Sequence, residues 1–140
     1  MACAQEDETP AFALRHLQSR LMVAGLSCNQ GDAYNTFVQH FTTELADSSA
    51  KLIAYFRRTG GGSVALNSHV TDLANAAGRS RAADPDGFCQ STWQVFWALE
   101  QTPEKLLQIA FDNLVEKVNL PPSCPGARTT GLQEAKAPLP

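Results

Sequence analysis

The segment between Asp32 and Arg58 carries the feature that most restricts the fold of this chain. Its apolar side chains recur every three or four residues and stay in phase from one end to the other: Tyr34, Phe37, Val38, Phe41, Leu45, Leu52 and Phe56. This spacing places side chains on one face of an α-helix. The segment therefore predicts a single amphipathic helix, about 40 Å long at 1.5 Å per residue.

Three other segments begin with the same helix-start signal, a capping residue followed by proline. The pairs are Thr9-Pro10, Asp84-Pro85 and Thr102-Pro103. A threonine or aspartate oxygen can accept a hydrogen bond from a free N–H group of the first turn, and proline fits the first helical position because no N–H is needed there. The pairs predict helices that end near Ala24, Glu100 and Val118.

A glycine run separates the long helix from the next predicted helix. Gly60, Gly61 and Gly62 can end a helix in the left-handed conformation, and Ser63 is a good cap for a weakly apolar, peripheral helix that ends near Arg81. A phosphate-binding loop is excluded, because the run follows a helix instead of a strand and no lysine closes it.

These elements together predict an all-α domain. No segment alternates polar and apolar residues over a strand's length, and 44% of the 140 residues are hydrophobic. We expect four or five helices over residues 9–118, in an up-down bundle or an orthogonal array. Residues 1–8 form a flexible, solvated acidic lead, and residues 119–140 form an irregular, flexible tail. The helix from Pro85 is expected to be the most buried.

The four cysteines predict a disulfide more readily than a zinc site. They are widely spaced and contain no C-x-x-C motif. Alternating helix directions bring the starts of the second and fourth predicted helices to one end, which predicts a disulfide between Cys28 and Cys89. Two free buried thiols are the alternative. Cys3 and Cys124 can pair with each other, pair between chains or stay free.

The N-terminus and the charge suggest where the protein acts. Ala2-Cys3-Ala4 has the small residues of a signal-peptidase site, which favours a periplasmic or secreted protein with its signal peptide removed. A lipid anchor at Cys3 of the precursor and a cytoplasmic protein are the other hypotheses.

No apolar run reaches the length of a transmembrane helix, and a net charge of −3 argues against nucleic-acid partners. The oligomeric state is left open.

The sequence contains no motif for catalysis, metal binding or a cofactor. The spacing of His40 to Glu44 and of His69 to Asp72 suits contacts on a helix surface, but belongs to no zinc or di-iron motif. The signatures of serine and cysteine nucleophiles are missing. An enzyme is therefore the less favoured class, and no catalytic residue, metal or cofactor is predicted.

The aromatic side chains supply the main functional lead. Trp93, Phe96 and Trp97 lie on an apolar arc that is wider than one neighbouring helix can cover. They can be core residues, or they can anchor a partner in an exposed groove. The favoured hypothesis is a noncatalytic adaptor or chaperone-like module that binds a protein or peptide near Trp97.

The alternative hypothesis is a carrier of a small apolar ligand, or a small enzyme of unknown class. Its site would be the interior between the second and fourth predicted helices. The polar groups available there are His40, Ser48, Ser49 and Tyr55.

Overall fold

The computed structural model of this protein describes residues 2–114 and 120–125. The described residues form six α-helices and no strand, and they confirm the all-α prediction. The helices are α1 (Thr9–Ser27), α2 (Gly31–His40), α3 (Thr42–Arg58), α4 (Gly62–Ala83), α5 (Pro85–Gln101) and α6 (Leu106–Asp112), with a 3₁₀ turn (Pro103–Lys105) before the last.

Helix α1 is the centre of the array. It packs against each of the other five α-helices, and Ala13, Leu17, Leu21 and Ala24 are fully buried along it. The expectation that the helix from Pro85 is the most buried was wrong. That helix, α5, turns only one face toward the core and leaves part of its aromatic surface in solvent.

The long predicted helix is broken in two at Phe41. The backbone of Phe41 has φ −109° and ψ 28°, outside the helical range. The Thr42 hydroxyl donates to the carbonyl oxygens of Val38 and Gln39, at 2.9 and 3.0 Å. Phe37, Phe41 and Leu45 are all buried, so the three- or four-residue spacing of apolar side chains continues unchanged through the bend. The spacing therefore could not predict the bend.

The predicted disulfide between Cys28 and Cys89 is present, with an S–S distance of 2.05 Å and a Cα–Cα distance of 5.5 Å. It joins the end of α1 to the first half of α5. Beside it, Gln30 Nε2 donates to the Cys89 carbonyl oxygen at 2.9 Å, and the fully buried Thr92 hydroxyl donates to Gln30 Oε1 at 2.9 Å. The start of α2 is thereby attached to α5.

The two ends of the described chain are also joined. Cys3 and Cys124 form the second disulfide, and the Ala4 N–H donates to the Pro122 carbonyl oxygen at 2.8 Å. Of the predicted tail, 119–140, only residues 120–125 are described.

The predicted acidic lead, residues 5–8, is exposed at Gln5, Glu6 and Asp7 but not at Glu8. Ala4 is fully buried and Glu8 is 3% exposed. The Glu8 carboxylate accepts hydrogen bonds from the Arg58 guanidinium and from the Gln5 N–H. These hydrogen bonds compensate the buried negative charge of the Glu8 carboxylate and hold the N-terminal segment against the end of α3. Glu8, instead of Thr9, also occupies the cap position of α1.

The other helix ends differ from prediction by small amounts, except at α6. Helix α5 begins as predicted, with the Asp84 side chain accepting from the Gly87 N–H at 3.1 Å. Helix α4 begins at Gly62, with Gly61 instead of Ser63 at its cap position, and stays peripheral, with two buried residues. The helix predicted from Pro103 is a 3₁₀ turn followed by the short α6. Its expected continuation to Val118 lies outside the described residues.

We expect the double variant C28A/C89A to lose about 4 kcal/mol of unfolding free energy, because the unfolded chain is no longer closed into a loop. Denaturant unfolding measures this loss. The matched variant C3A/C124A also loses stability, but only C28A/C89A should change the tryptophan emission, since only that bond holds α5. A loss below about 1 kcal/mol in C28A/C89A would contradict the expected role of this bond.

The Glu8–Arg58 pair predicts a pH-dependent difference between the wild type and Glu8→Gln. The hydrogen bond from Arg58 holds the pKa of Glu8 below its usual 4.5, so its stabilisation is present above pH 4.5 and is lost as the pH falls through the folded-state pKa. At pH 7 the variant should be less stable by about 2 kcal/mol, a gap that shrinks in acid.

Unfolding midpoints measured from pH 7 to pH 3 test this. The exposed Glu6→Gln is the matched control and should follow the wild type throughout. A constant gap between the wild type and Glu8→Gln at every pH would contradict the expectation.

Candidate functional site: an aromatic groove between two helices

A surface groove of about 470 Å³ lies between α2 and α5. Its floor consists of buried apolar side chains from both helices: Phe37, Phe41, Phe96 and Leu99. Trp93 and Trp97 also line it, from α5. Among its described lining residues, the groove therefore combines five large aromatic side chains with polar ones, over a floor that belongs to the hydrophobic core.

The disulfide end of the molecule positions both walls of this groove. Helices α2 and α5 both start near the Cys28–Cys89 bond, where Gln30 bridges them. Phe37 lies on α2 and Phe41 at its C-cap position, and helical spacing places Trp93 and Trp97 on one face of α5. The groove follows the two helices away from the disulfide.

Trp93 and Trp97 are unusual because most of their surface is in solvent. They are 58% and 62% exposed, whereas Phe96 on the same helix is 9% exposed. They are also the two tryptophans of the chain. Adjacent exposed indole rings beside an apolar groove are typical of binding sites, because tryptophan contributes strongly to interface energy.

The charged residues of the groove are acidic. Asp32 lies in the first turn of α2, near the disulfide, and Glu100 lies in the last turn of α5, at the other end. His40 lines the groove with its ring edge-on to Phe41, at 4.6 Å between centroids. No lysine or arginine is among the described residues that line the groove.

The structure brings together four of the residues predicted for a site: Trp93, Phe96, Trp97 and His40. The other polar candidates are elsewhere. Ser48 is buried beside a smaller depression against α1 and α6, Ser49 is exposed, and Tyr55 packs edge-on against Phe12 at 4.9 Å. The expected interior site with these polar groups is not formed, because the bend at Phe41 turns α3 onto α1 and away from α5.

Sequence reasoning missed the polar residues that line the groove, above all Asp32 and Glu100. Two signals could have indicated them. Asp32, Thr36 and His40 repeat every four residues on the face of α2 beside Phe37, and Glu100 follows Phe96 by four.

The described histidines do not belong to a metal-binding cluster. No group of three or more His, Cys, Asp or Glu residues in the described part of the chain could hold a metal ion. His69 was expected on a helix surface beside Asp72, but it is half-buried, and His16 on α1 is buried. Burial lowers the pKa of His16 to about 4 and also lowers that of His69. Neither residue lines the groove.

Fold and site together define a small all-α protein with two disulfides and an open aromatic groove. No protein family, curated protein or solved structure gives a significant match to this chain. Among the described helices, none has the length and apolar composition needed to cross a membrane.

We expect the two kinds of groove aromatic to differ sharply in their effect on stability. Phe96→Ala should lower the unfolding free energy by about 4 kcal/mol, because it leaves a cavity in the core. Trp97→Ala should lower it by at most about 2 kcal/mol, because 62% of the side chain is already in water. Denaturant unfolding measures both. Equal losses of unfolding free energy in the two variants would show that Trp97 is a core residue and not part of the site.

Proposed function

We propose that this protein is a noncatalytic binding module whose groove holds an apolar segment of a partner protein. One observation carries the proposal: Trp93 and Trp97 stand 58% and 62% exposed beside a groove with a buried aromatic floor. Leaving two indole rings in water forgoes the hydrophobic stabilisation that burial would bring. A partner that covers the two indole rings gains this hydrophobic stabilisation on binding.

The shape of the groove supports a polypeptide partner. The lining extends from Asp32 to His40 along α2 and from Trp93 to Glu100 along α5, and the indole rings are left uncovered. A partner segment laid in this groove buries its apolar side chains against the floor, and the body of the partner covers the edges. Large aromatic anchors beside a fixed apolar floor are the usual source of most of the binding energy.

The two disulfides support an oxidising compartment as the place of action. We place the protein in the periplasm or among secreted proteins. There, an adaptor or a chaperone-like module has access to partner segments that are exposed before assembly.

A small apolar ligand is the second candidate occupant. The volume of about 470 Å³ favours it, because it lies in the range of small-molecule sites. The open side weighs against it, because small-molecule sites bury most of the ligand surface. The buried polar groups expected for such a carrier, Ser48 and Tyr55, do not line the groove.

The experiment that tests the proposal uses an amphipathic helical peptide of about 15 residues, without tryptophan, whose apolar stripe is flanked by glutamine. Both tryptophans of the protein line the groove, so their emission reports occupancy. The oxidised protein should bind the peptide with a blue shift. In fluorescence anisotropy with labelled peptide, Trp93→Ala and Trp97→Ala should each weaken binding by about 30-fold.

The matched control is Val64→Ala on α4, which removes an apolar side chain that is 79% exposed but does not line the groove. It should bind as the wild type does. Equal weakening by all three variants, or no peptide binding, would contradict the proposal. Tight one-to-one binding of the dye anilinonaphthalene sulfonate without any peptide binding would support the small-ligand carrier instead.

A further inference from the structure

We infer that the partner segment is a basic amphipathic helix, with Lys or Arg side chains at both ends of its apolar stripe. This inference rests on the proposed function, because it names the chemistry of the segment that the groove holds. It comes from the charges of the groove, their positions and the two exposed indole rings.

The charges of the lining have one sign. Asp32 and Glu100 are carboxylates, and the described lining contributes neither lysine nor arginine against them. The chain as a whole carries a net charge of −3. An acidic segment would meet repulsion at both ends of the groove, and a neutral one would cover the carboxylates without pairing them. A basic segment gains attraction at both ends.

The two carboxylates lie toward opposite ends of the groove. Asp32 is in the first turn of α2, near the disulfide end, where Gln30 connects α2 to Thr92 on α5. Glu100 is in the last turn of α5. In a helical partner, basic residues seven positions apart lie on one face, about 10 Å apart, so that one can approach each end of the groove.

The exposed indole rings favour the same partner chemistry. Trp93 and Trp97 are four residues apart on one face of α5. The face of an indole ring attracts a cation, and the aliphatic part of a lysine or arginine side chain packs against the ring while its charged end stays hydrated. A basic side chain near Trp97 can therefore contact the ring and the Glu100 carboxylate together.

The absence of a sheet edge favours a helix over an extended segment. One recurring way to bind an extended peptide is to pair its backbone with an exposed strand, and the described residues contain no strand. A helix satisfies its own backbone hydrogen bonds and needs only side-chain contacts with the groove.

Three peptides test the inference on the full oxidised chain. They share the apolar stripe of the glutamine-flanked peptide and differ at two positions seven residues apart, which carry Lys, Gln or Glu. The Lys peptide should bind about tenfold more tightly than the Gln peptide, and the Glu peptide about tenfold more weakly. Raising the salt concentration should reduce these differences.

The variant Asp32→Asn with Glu100→Gln should bind all three peptides within about twofold of one another. Its matched control is Glu44→Gln with Glu104→Gln, which removes the same charge from exposed residues outside the groove and should keep the wild-type differences. Circular dichroism checks that both double variants are folded.

The outcomes separate this inference from the proposed function. If the three peptides bind equally and need Trp93 and Trp97, the basic chemistry is wrong and the proposed function stands. If the Lys preference persists in Asp32→Asn with Glu100→Gln, or the Glu peptide binds best, the inference is also overturned. If no peptide binds, both fail.

Discussion

The attachment of α2 to α5 is the constraint on which the rest of the site depends. Helix α2 is short, and its outer face is largely in solvent, so its packing on α1 alone would define its direction poorly. The Cys28–Cys89 bond and the Gln30 side chain hold its start against α5. The floor of the groove is then formed from both helices at once, and Trp93 and Trp97 stand beside it without being drawn into the core.

Much of the fold follows from local sequence signals and from the alternating direction of successive helices. The cap at Asp84, the apolar periodicity of α2 and α3 and the pairing of Cys28 with Cys89 were all predictable, because each depends on spacing or on alternating helix direction. The bend at Phe41 was not, since the apolar phase runs through it unchanged. The burial of Glu8 was missed for a different reason: its partner, Arg58, is fifty residues away in the chain.

The site was predictable in its aromatic part and not in its polar part. Trp93 and Trp97 were candidates because α5 has more apolar surface than one neighbour covers. Asp32 and Glu100 look like ordinary solvent-facing residues until the neighbour across the groove is known. Ser48 shows the reverse error: it shares the apolar face of its helix, but that face packs on α1 and α6 and does not reach the groove.

The two disulfides have a consequence for a protein that meets proteases. A cut at the glycine turn, residues 60–62, would divide the chain into one part with Cys3 and Cys28 and another with Cys89 and Cys124. Each bond crosses that division. The nicked molecule would remain one covalent unit joined at two separate points, so a cut at this turn would not release either half.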